Sequence, residues 1–205
     1  MSASVEFLER KKPKAAHTFA QDSLQWYVEP EWCTAALLRV ERFVGDVLDP
    51  ACGRGNIVRA CLAAGYRASG TDVVDRSAGA PWFRGTLDFI AGDDLRADNI
   101  ITNPPFFRAR GSEAFARRAL AVCRGKVAVF ADMRFLASGR RAGGLFAEYR
   151  PTRIWQLADR PSCPPGAYLD AGNTAGGGSA DWCWIVWDLT GPARATEFDW
   201  LRRAA

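Results

Sequence analysis

Residues 47–56 read VLDPACGRGN, a short apolar segment that leads into a glycine-rich turn. The apolar start predicts a strand, and the residues from Asn56 onward predict a helix that Gly65 ends. Glycine at positions 53 and 55 permits positive φ and lets a ligand approach the backbone closely. The run therefore predicts a cofactor-binding loop at the carboxyl end of a strand.

The residues of this loop indicate which ligand it binds. A dinucleotide-binding loop reads GxGxxG, whereas Val58 stands here in the place of the third glycine. Asp49 is a poor neighbour for a pyrophosphate and suits a ligand that carries an ammonium or sulfonium group. This contrast favours S-adenosylmethionine over NAD. Asp72 follows Gly55 by 17 positions and ends the next predicted strand, where a carboxylate accepts hydrogen bonds from ribose hydroxyls of either cofactor.

Strand and helix patterns alternate on both sides of the loop, which predicts an α/β fold with a largely parallel sheet. Residues 32–43, 113–123 and 135–149 have helical patterns, residues 73–86 are irregular, and strands are predicted at 66–72, 99–102, 126–131, 152–158 and 182–189.

The length of 205 residues, without an internal repeat, indicates one domain. We expect a flexible basic N-terminal lead at 1–20 and a single domain over 21–205, with a long Pro/Gly-rich substrate loop at 160–180. The sequence has no apolar run of membrane-spanning length and no secretory signal, so a cytoplasmic location is expected.

A second motif, NPPF at residues 103–106, follows the predicted strand at 99–102. The consecutive prolines Pro104 and Pro105 remove two amide donors and fix the backbone. The Asn103 side chain and the Pro104 carbonyl then present two acceptors to one point, which suits a substrate amino group. Phe106 offers a flat face for a planar base. The motif predicts a site that acts on an exocyclic amine.

Charge and metal-ligand content narrow the chemistry further. The net charge of +4 is modest, but arginines and lysines are clustered in ways that suit a phosphate backbone. His17 is the sole histidine and the six cysteines form no CxxC pair, so neither histidine catalysis nor a metal site is expected.

The two motifs, in this order, resemble those of the class I S-adenosylmethionine-dependent methyltransferases that act on amino groups, and in particular the DNA adenine-N6 methyltransferases. The resemblance covers roughly residues 22–190. It implies a Rossmann-like sheet of seven mostly parallel strands, with helices on both faces and an antiparallel last strand. The final strands would then be those at 152–158 and 182–189.

The resemblance also implies roles for individual residues. Asp72 would bind the ribose and Asp88-Phe89 the adenine, with Asp93 as a rival. Glu29 stands where the family often has a threonine that touches the methionine carboxylate; two carboxylates repel, so Tyr27 and backbone amides would take that contact. The implied catalytic residues are Asn103, Pro104, Pro105 and Phe106. The implied cofactor-binding residues are Tyr27, Pro30, Asp49, Pro50, Ala51, Gly53, Gly55, Asn56, Asp72, Val73, Asp88 and Phe89.

The expected substrate is nucleic acid, with DNA preferred and RNA possible. The expected substrate contacts are Arg108, Arg110, Arg134 and Arg160, with Arg140 and Arg141 as further phosphate contacts. The chain has no room for an extra recognition region, so we expect relaxed or short-site specificity. The alternatives are base methylation of rRNA or tRNA, protein glutamine methylation, a non-catalytic cofactor- or nucleic-acid-binding module and, last, an NAD oxidoreductase.

Overall fold

The computed structural model describes residues 24–92, 95–107, 110–192 and 195–204. The predicted lead at 1–20, Asp93 and Arg108 lie outside the described residues. The helices are α1 (Glu31–Leu38), α2 (Asn56–Ala63), α3 (Arg110–Val122), α4 (Gly139–Gly143), α5 (Leu145–Glu148) and α6 (Gly166–Asp170). The strands are β1 (Val47–Asp49), β2 (Ala68–Asp72), β3 (Phe83–Thr86), β4 (Asn99–Thr102), β5 (Lys126–Asp132), β6 (Arg153–Leu157), β7 (Trp182–Asp188) and β8 (Glu197–Leu201).

The described strands form one sheet in the order β3-β2-β1-β4-β5-β7-β6-β8. Strand β7 runs antiparallel to β5 and β6, and the other pairs are parallel. The predicted mostly parallel α/β sheet is confirmed. Adjacent β2, β1 and β4 all point the same way, so the loops that follow them meet at one edge of the sheet.

Two details of the predicted sheet are wrong. The sheet has eight described strands instead of seven, and the antiparallel strand is followed by β8, which pairs in parallel with β6. Strand β3 also lies within a segment predicted to be irregular. Both missed strands lie at edges of the sheet and are largely exposed. Neither carries the apolar run by which buried strands are recognised.

Side-chain alternation along β5 builds a core on each face of the sheet. Val127, Val129 and Ala131 pack with α3 on one face, whereas Ala128 and Phe130 pack with α1 and α2 on the other. Helices therefore cover both faces, as predicted. The aromatic strand β7 belongs to this core, because Trp184 and Trp187 are buried.

Helix α2 begins and ends as its glycines predict. Gly55 precedes it with φ of +83°, and Gly65, with φ of +85°, follows its last turn. Helix α1 ends earlier than its apolar pattern suggested, at Leu38. Beyond that end, Glu41 is buried and accepts a hydrogen bond from Lys126 Nζ at 2.7 Å.

The long loop at 160–180 is partly helical, because it contains α6. Its first part pairs with the segment at 24–29: Val28 N donates to Pro164 O at 2.9 Å, and Gly166 N donates to Trp26 O at 2.9 Å. These bonds fix the N-terminal segment across the carboxyl edge of the sheet. None of the described helices is long and apolar enough to cross a membrane.

Candidate active site

A cavity of about 310 Å³ opens where β1, β2 and β4 end, and the segment at 24–29 covers it. This is the edge at which open α/β sheets bind ligands. The cavity brings together most of the predicted site. The predicted residues that line it are Tyr27, Pro50, Ala51, Gly53, Asn56, Asp72, Val73, Asp88, Phe89, Asn103 and Pro105. Pro30, Asp49, Gly55, Pro104 and Phe106 lie outside its lining.

The glycine-rich loop has the tight geometry that its sequence requires. Gly53 is at φ of +50°, and a β-carbon there would lie 2.6 Å from the indole nitrogen of Trp26. A β-carbon on Gly55 would clash with the ring of Trp82. Both positions therefore require glycine, because tryptophan rings occupy the space that a side chain would need.

Asp72 ties this loop to the end of β2. Gly53 N donates to Asp72 Oδ2 at 2.8 Å, and Val74 N donates to Oδ1 at 3.1 Å. Arg76 also binds Oδ1, at 3.1 Å. A carboxylate has about four acceptor positions, so Asp72 keeps capacity for one further donor at the cavity.

Asp49 lies behind the loop and shapes it. Its side chain is 2% exposed, and Oδ1 accepts from Ala51 N at 3.1 Å. Burial, and then the nearby charge of Glu29, raise the pKa of Asp49 well above its ordinary value of 3.8. Asp49 therefore stands behind the lining of the cavity, in surroundings that disfavour its charged form.

Asn103 has an amide whose two ends have different surroundings. Nδ2 donates to Glu29 Oε2 at 2.6 Å and to Tyr27 O at 3.0 Å. Both partners accept hydrogen bonds and offer no proton while Glu29 is ionised, so the amide nitrogen must face them. The buried Oδ1 accepts no hydrogen bond from any described residue. A buried acceptor without a donor is costly, so Oδ1 has the capacity to accept a hydrogen bond from a ligand at this edge of the sheet.

Glu29 is an uncompensated acid beside this amide. It is 6% exposed, and burial raises its pKa from the ordinary 4.5 to about 7, although the hydrogen bond from Asn103 lowers it. Arg59 also lowers this pKa, but its ion pair is with Glu31, at 2.7 Å. Among the described residues, neither Glu29 nor Asp49 forms an ion pair. Two buried carboxylates without a cation favour a positively charged ligand.

Two adjacent phenylalanines differ in how open their rings are. Phe106, the predicted stacking residue, packs between Tyr27 at 6.0 Å and Trp182 at 5.5 Å between ring centroids. Phe107 lines the cavity, is 45% exposed and has φ of +37°, which is unusual for a residue with a side chain. Phe107 was not predicted as a site residue, although the second phenylalanine directly after the NPPF motif was a signal for it in the sequence.

The far end of the cavity is apolar and holds the predicted adenine contacts. Phe89 is buried against Phe115, with ring centroids 5.1 Å apart. Asp88 is exposed, and its Oδ1 accepts from Ile90 N at 2.9 Å. Val73 also lines the cavity and is half exposed. An aromatic wall with an acceptor at its rim fits a purine.

Trp26 and Arg76 line the cavity and were not predicted from the sequence. The Arg76 guanidinium lies 4.2 Å from the centre of a Trp26 ring, and that indole also packs against Gly166. The pair closes one side of the cavity beside Asp72. Only the fold brings these residues together, because they come from segments 50 positions apart.

The predicted substrate arginines lie around the carboxyl edge of the sheet and differ in their exposure and in their partners. Arg110 is exposed at the first position of α3. Arg134 is highly exposed and pairs with Asp132 at 2.6 Å, and Arg160 pairs with Asp181 at 2.7 Å. Arg141 is the exception, because its buried side chain donates to Phe135 O at 2.5 Å. The expectation that Arg141 contacts phosphate is therefore wrong.

Arg140 pairs with Glu113. No group of three or more His, Cys, Asp or Glu side chains within the described ranges is placed to hold a metal ion.

Comparison with solved structures identifies proteins of the same fold. A "modification subunit of a putative type I restriction enzyme" from Vibrio vulnificus matches with a TM-score of 0.59 and 15% identity, over 92% of this chain and 48% of that one. A "putative RNA methyltransferase" from Pyrococcus horikoshii matches with a TM-score of 0.57 and 15% identity, over 77% of this chain and 81% of that one. A structure reported for the conversion of a disulfide bond into a thioacetal group during echinomycin biosynthesis matches with a TM-score of 0.54 and 16% identity, over 85% and 88%.

These likenesses show the fold, a Rossmann-like sheet that solved methyltransferases share. The chain spans about half the length of the Vibrio subunit. No protein-family model matches the sequence, and a search of curated proteins finds no match.

Proposed function

We propose that this protein transfers a methyl group from S-adenosylmethionine to N6 of adenine in DNA, with relaxed or short-site sequence specificity. The observation that carries the proposal is the amide of Asn103. Its nitrogen is bound by Glu29 and the Tyr27 carbonyl, and its buried oxygen has no described donor. An oriented acceptor at the end of β4, followed by two prolines, suits a substrate –NH2 group.

The residues present fit S-adenosylmethionine better than a dinucleotide. The buried carboxylates of Glu29 and Asp49 lack a described ion-pair partner and favour a ligand with sulfonium and ammonium charges. The loop around Gly53 would hold the methionine part, and Asp72 would accept from the ribose. Asp88 and Phe89 would hold the adenine. S-adenosylmethionine, when bound, supplies an electrophilic methyl group on a sulfonium.

Catalysis in this proposal consists of positioning and fixed dipoles. The N6 lone pair of adenine is delocalised into the ring, so the amine is a weak nucleophile. Hydrogen bonds from N6–H to Asn103 Oδ1 and to the Pro104 carbonyl localise that pair on nitrogen. N6 would form its new bond to the methyl carbon as the bond from that carbon to sulfur breaks, and N6 would then release one proton to solvent. Neither a histidine nor a metal ion takes part.

A base inside a duplex cannot reach this buried amide, so the target adenine must leave the stack. Phe107, which lines the cavity and is exposed, would stack on the base, whereas the predicted stacking residue Phe106 packs behind it against Tyr27 and Trp182. The arginines around the carboxyl edge would bind the flanking phosphates. Likeness in fold to a restriction-enzyme modification subunit supports DNA as the substrate.

The second candidate is the same reaction on RNA. It is supported by likeness in fold to a "putative RNA methyltransferase", of which this chain covers 81%. The catalytic assignments are the same in both candidates, and only the nucleic acid differs.

One experiment separates the candidates. Labelled methyl from S-adenosylmethionine is offered to duplex DNA, single-stranded DNA and RNA in parallel, and the incorporated label is counted. Labelling of DNA supports the proposal, and the ratio of duplex to single strand measures the cost of base flipping. Labelling of RNA alone supports the second candidate. No transfer to any acceptor overturns both.

A further inference from the structure

We infer that Glu29 is a positioning residue, whose ionised carboxylate holds the Asn103 amide in the orientation that methyl transfer requires. The inference rests on the proposed function and deepens it. It assigns a role to a residue at which this chain departs from the family that its motifs resemble. Because Glu29 acts through Asn103, it needs no contact with the substrate.

Two hydrogen bonds, one to the side chain of Glu29 and one to its backbone, hold Glu29 in place beside the Asn103 amide. Its Oε2 accepts from Asn103 Nδ2 at 2.6 Å, and its backbone carbonyl accepts from Asn56 Nδ2 at 2.6 Å. Asn56 begins α2 and lines the cavity. Glu29 therefore connects Asn103, in the turn after β4, to Asn56, which follows the glycine-rich loop after β1.

The two protonation states of Glu29 act differently on Asn103. A carboxylate only accepts hydrogen bonds, so it must face the amide nitrogen, which leaves Oδ1 for the substrate. A carboxylic acid is a weaker acceptor and places an O–H beside the amide, which competes for Oδ1, whereas the Tyr27 carbonyl accepts from Nδ2 in either state. Protonation therefore weakens the hold of Glu29 on the amide and makes Oδ1 less available to the substrate amine.

The surroundings place this transition close to neutral pH. Burial raises the pKa of Glu29 to about 7 in the free protein. A bound sulfonium would favour the carboxylate, so the transition in the loaded enzyme is expected at lower pH. The charged or titratable groups that act on Glu29 from neighbouring elements, or on which it acts, are Arg59, Glu31, Asp49, Cys33 and Cys163.

The contact is tested without activity by following the side-chain amide of Asn103 by ¹H–¹⁵N NMR during a pH titration. The signals are assigned by their loss in Asn103→Ala. In the wild-type protein they should shift with a midpoint near pH 7, and in Glu29→Gln that transition should disappear. Glu31→Gln is the matched control, because it removes a neighbouring acid that does not bind Asn103; its spectra should keep the transition. A wild-type amide that does not titrate, or that titrates equally in Glu29→Gln, overturns the inference.

The consequence for catalysis is a pH profile. The wild-type kcat should rise with pH and level off once Glu29 is ionised. Glu29→Gln keeps an acceptor of the same shape, so we expect kcat to fall about tenfold at the wild-type plateau and to lose this rise, with KM for nucleic acid unchanged. Glu31→Gln should keep the wild-type profile. Wild-type kcat and pH dependence in Glu29→Gln would contradict the role.

Failure of the two proposals can be distinguished. A wild-type protein that transfers no methyl group overturns the proposed function, whereas the amide titration still decides whether Glu29 controls Asn103.

Discussion

Two glutamates are buried at opposite edges of the sheet, and their surroundings are opposite as well. Glu41, near the amino end of β5, is 2% exposed and binds Lys126 Nζ at 2.7 Å, Trp155 Nε1 at 2.9 Å and the Arg153 guanidinium. Burial alone would raise its pKa, but the hydrogen bonds from Arg153, Lys126 and Trp155 lower it below 4.5. Glu29, at the carboxyl edge, binds the neutral amide of Asn103 where Glu41 binds two cations, and the pKa of Glu29 is about 7.

The difference distinguishes Glu41, an acid that stabilises the fold, from Glu29, an acid that belongs to the candidate active site. Glu41 joins β5 to β6 through compensated charges, so it contributes to stability. Glu29 carries the cost of burial with little compensation, and such uncompensated groups concentrate at functional sites. Glu29 also adjoins the residues that the motifs single out, whereas Glu41 lies far from them at the other end of the strands.

The largest expected effect comes from removing the partner of Glu29. Asn103→Ala deletes the oriented acceptor, and the rate of methyl transfer should fall by at least about 10²- to 10³-fold, as when a fixed dipole is removed from other active sites. Binding of S-adenosylmethionine, measured by calorimetry, should change little, because the loop around Gly53 is untouched. Turnover near the wild-type rate would refute the mechanism.

Replacement of Glu41, the acid with cation partners, should lower the stability of the fold rather than the rate of methyl transfer. Glu41→Ala removes the buried partner of Lys126 and Arg153 and leaves them Asp188, at 3.5 and 3.7 Å, so the free energy of unfolding should fall by about 2–3 kcal/mol. The measurement is chemical denaturation at pH 7. Transfer activity per folded molecule should match the wild type. A loss of activity without a loss of stability would reverse the contrast with Glu29.

Replacement of Glu29, the acid without a cation partner, should change the free energy of unfolding in the opposite direction. The raised pKa of Glu29 means that the folded protein holds a proton that the unfolded chain releases, so stability falls as pH rises from 4.5 to about 7. Glu29→Gln removes this penalty and should raise the free energy of unfolding above pH 7 by up to about 3 kcal/mol.

Chemical denaturation of Glu29→Gln and of the wild type at several pH values tests whether the variant is the more stable protein. The gain should vanish below pH 4.5, where both states are protonated. The lowered pKa of Glu41 predicts the reverse, a contribution present above 4.5 and lost as the pH falls below it. A Glu29→Gln protein that is less stable than the wild type above pH 7 would contradict the account.

The smallest effect is expected at the exposed rim. Arg134 pairs with Asp132 on the surface, where solvent screens the charges. Arg134→Ala should weaken nucleic-acid binding modestly and reduce the slope of log affinity against log salt by about 0.9, the value for one phosphate contact on duplex DNA. Binding titrations at several salt concentrations measure the slope, and an unchanged slope would remove Arg134 from the interface.

The sequence was informative where the signal is local. The buried strands β1 and β4 are short and largely apolar, and each is followed by its motif, so the strand ends and the cavity residues Pro50, Ala51 and Gly53 were predictable. Strands β3 and β8 were missed because edge strands with polar and exposed residues lack that pattern. Arg141 was misassigned because a charge in sequence does not show that the side chain folds inward.

The contacts that define the site were not predictable in this way. Glu29 and Asn103 are 74 positions apart, and the sequence suggested for Glu29 only that it would repel a carboxylate. Its hydrogen bond to the catalytic amide depends on how the segment at 24–29 packs across the sheet. The position of Trp26 against Gly53 and Gly166 depends on the same packing.

The most direct test of the account identifies the methylated nucleoside. DNA treated with the wild-type protein and S-adenosylmethionine is digested to nucleosides and analysed by mass spectrometry, beside DNA treated with Asn103→Ala. We predict N6-methyladenine in the first sample and none above background in the second. A methyl group on a carbon atom or a ring nitrogen, or equal N6-methyladenine in both samples, would contradict the central claim that Asn103 directs transfer to an exocyclic amine.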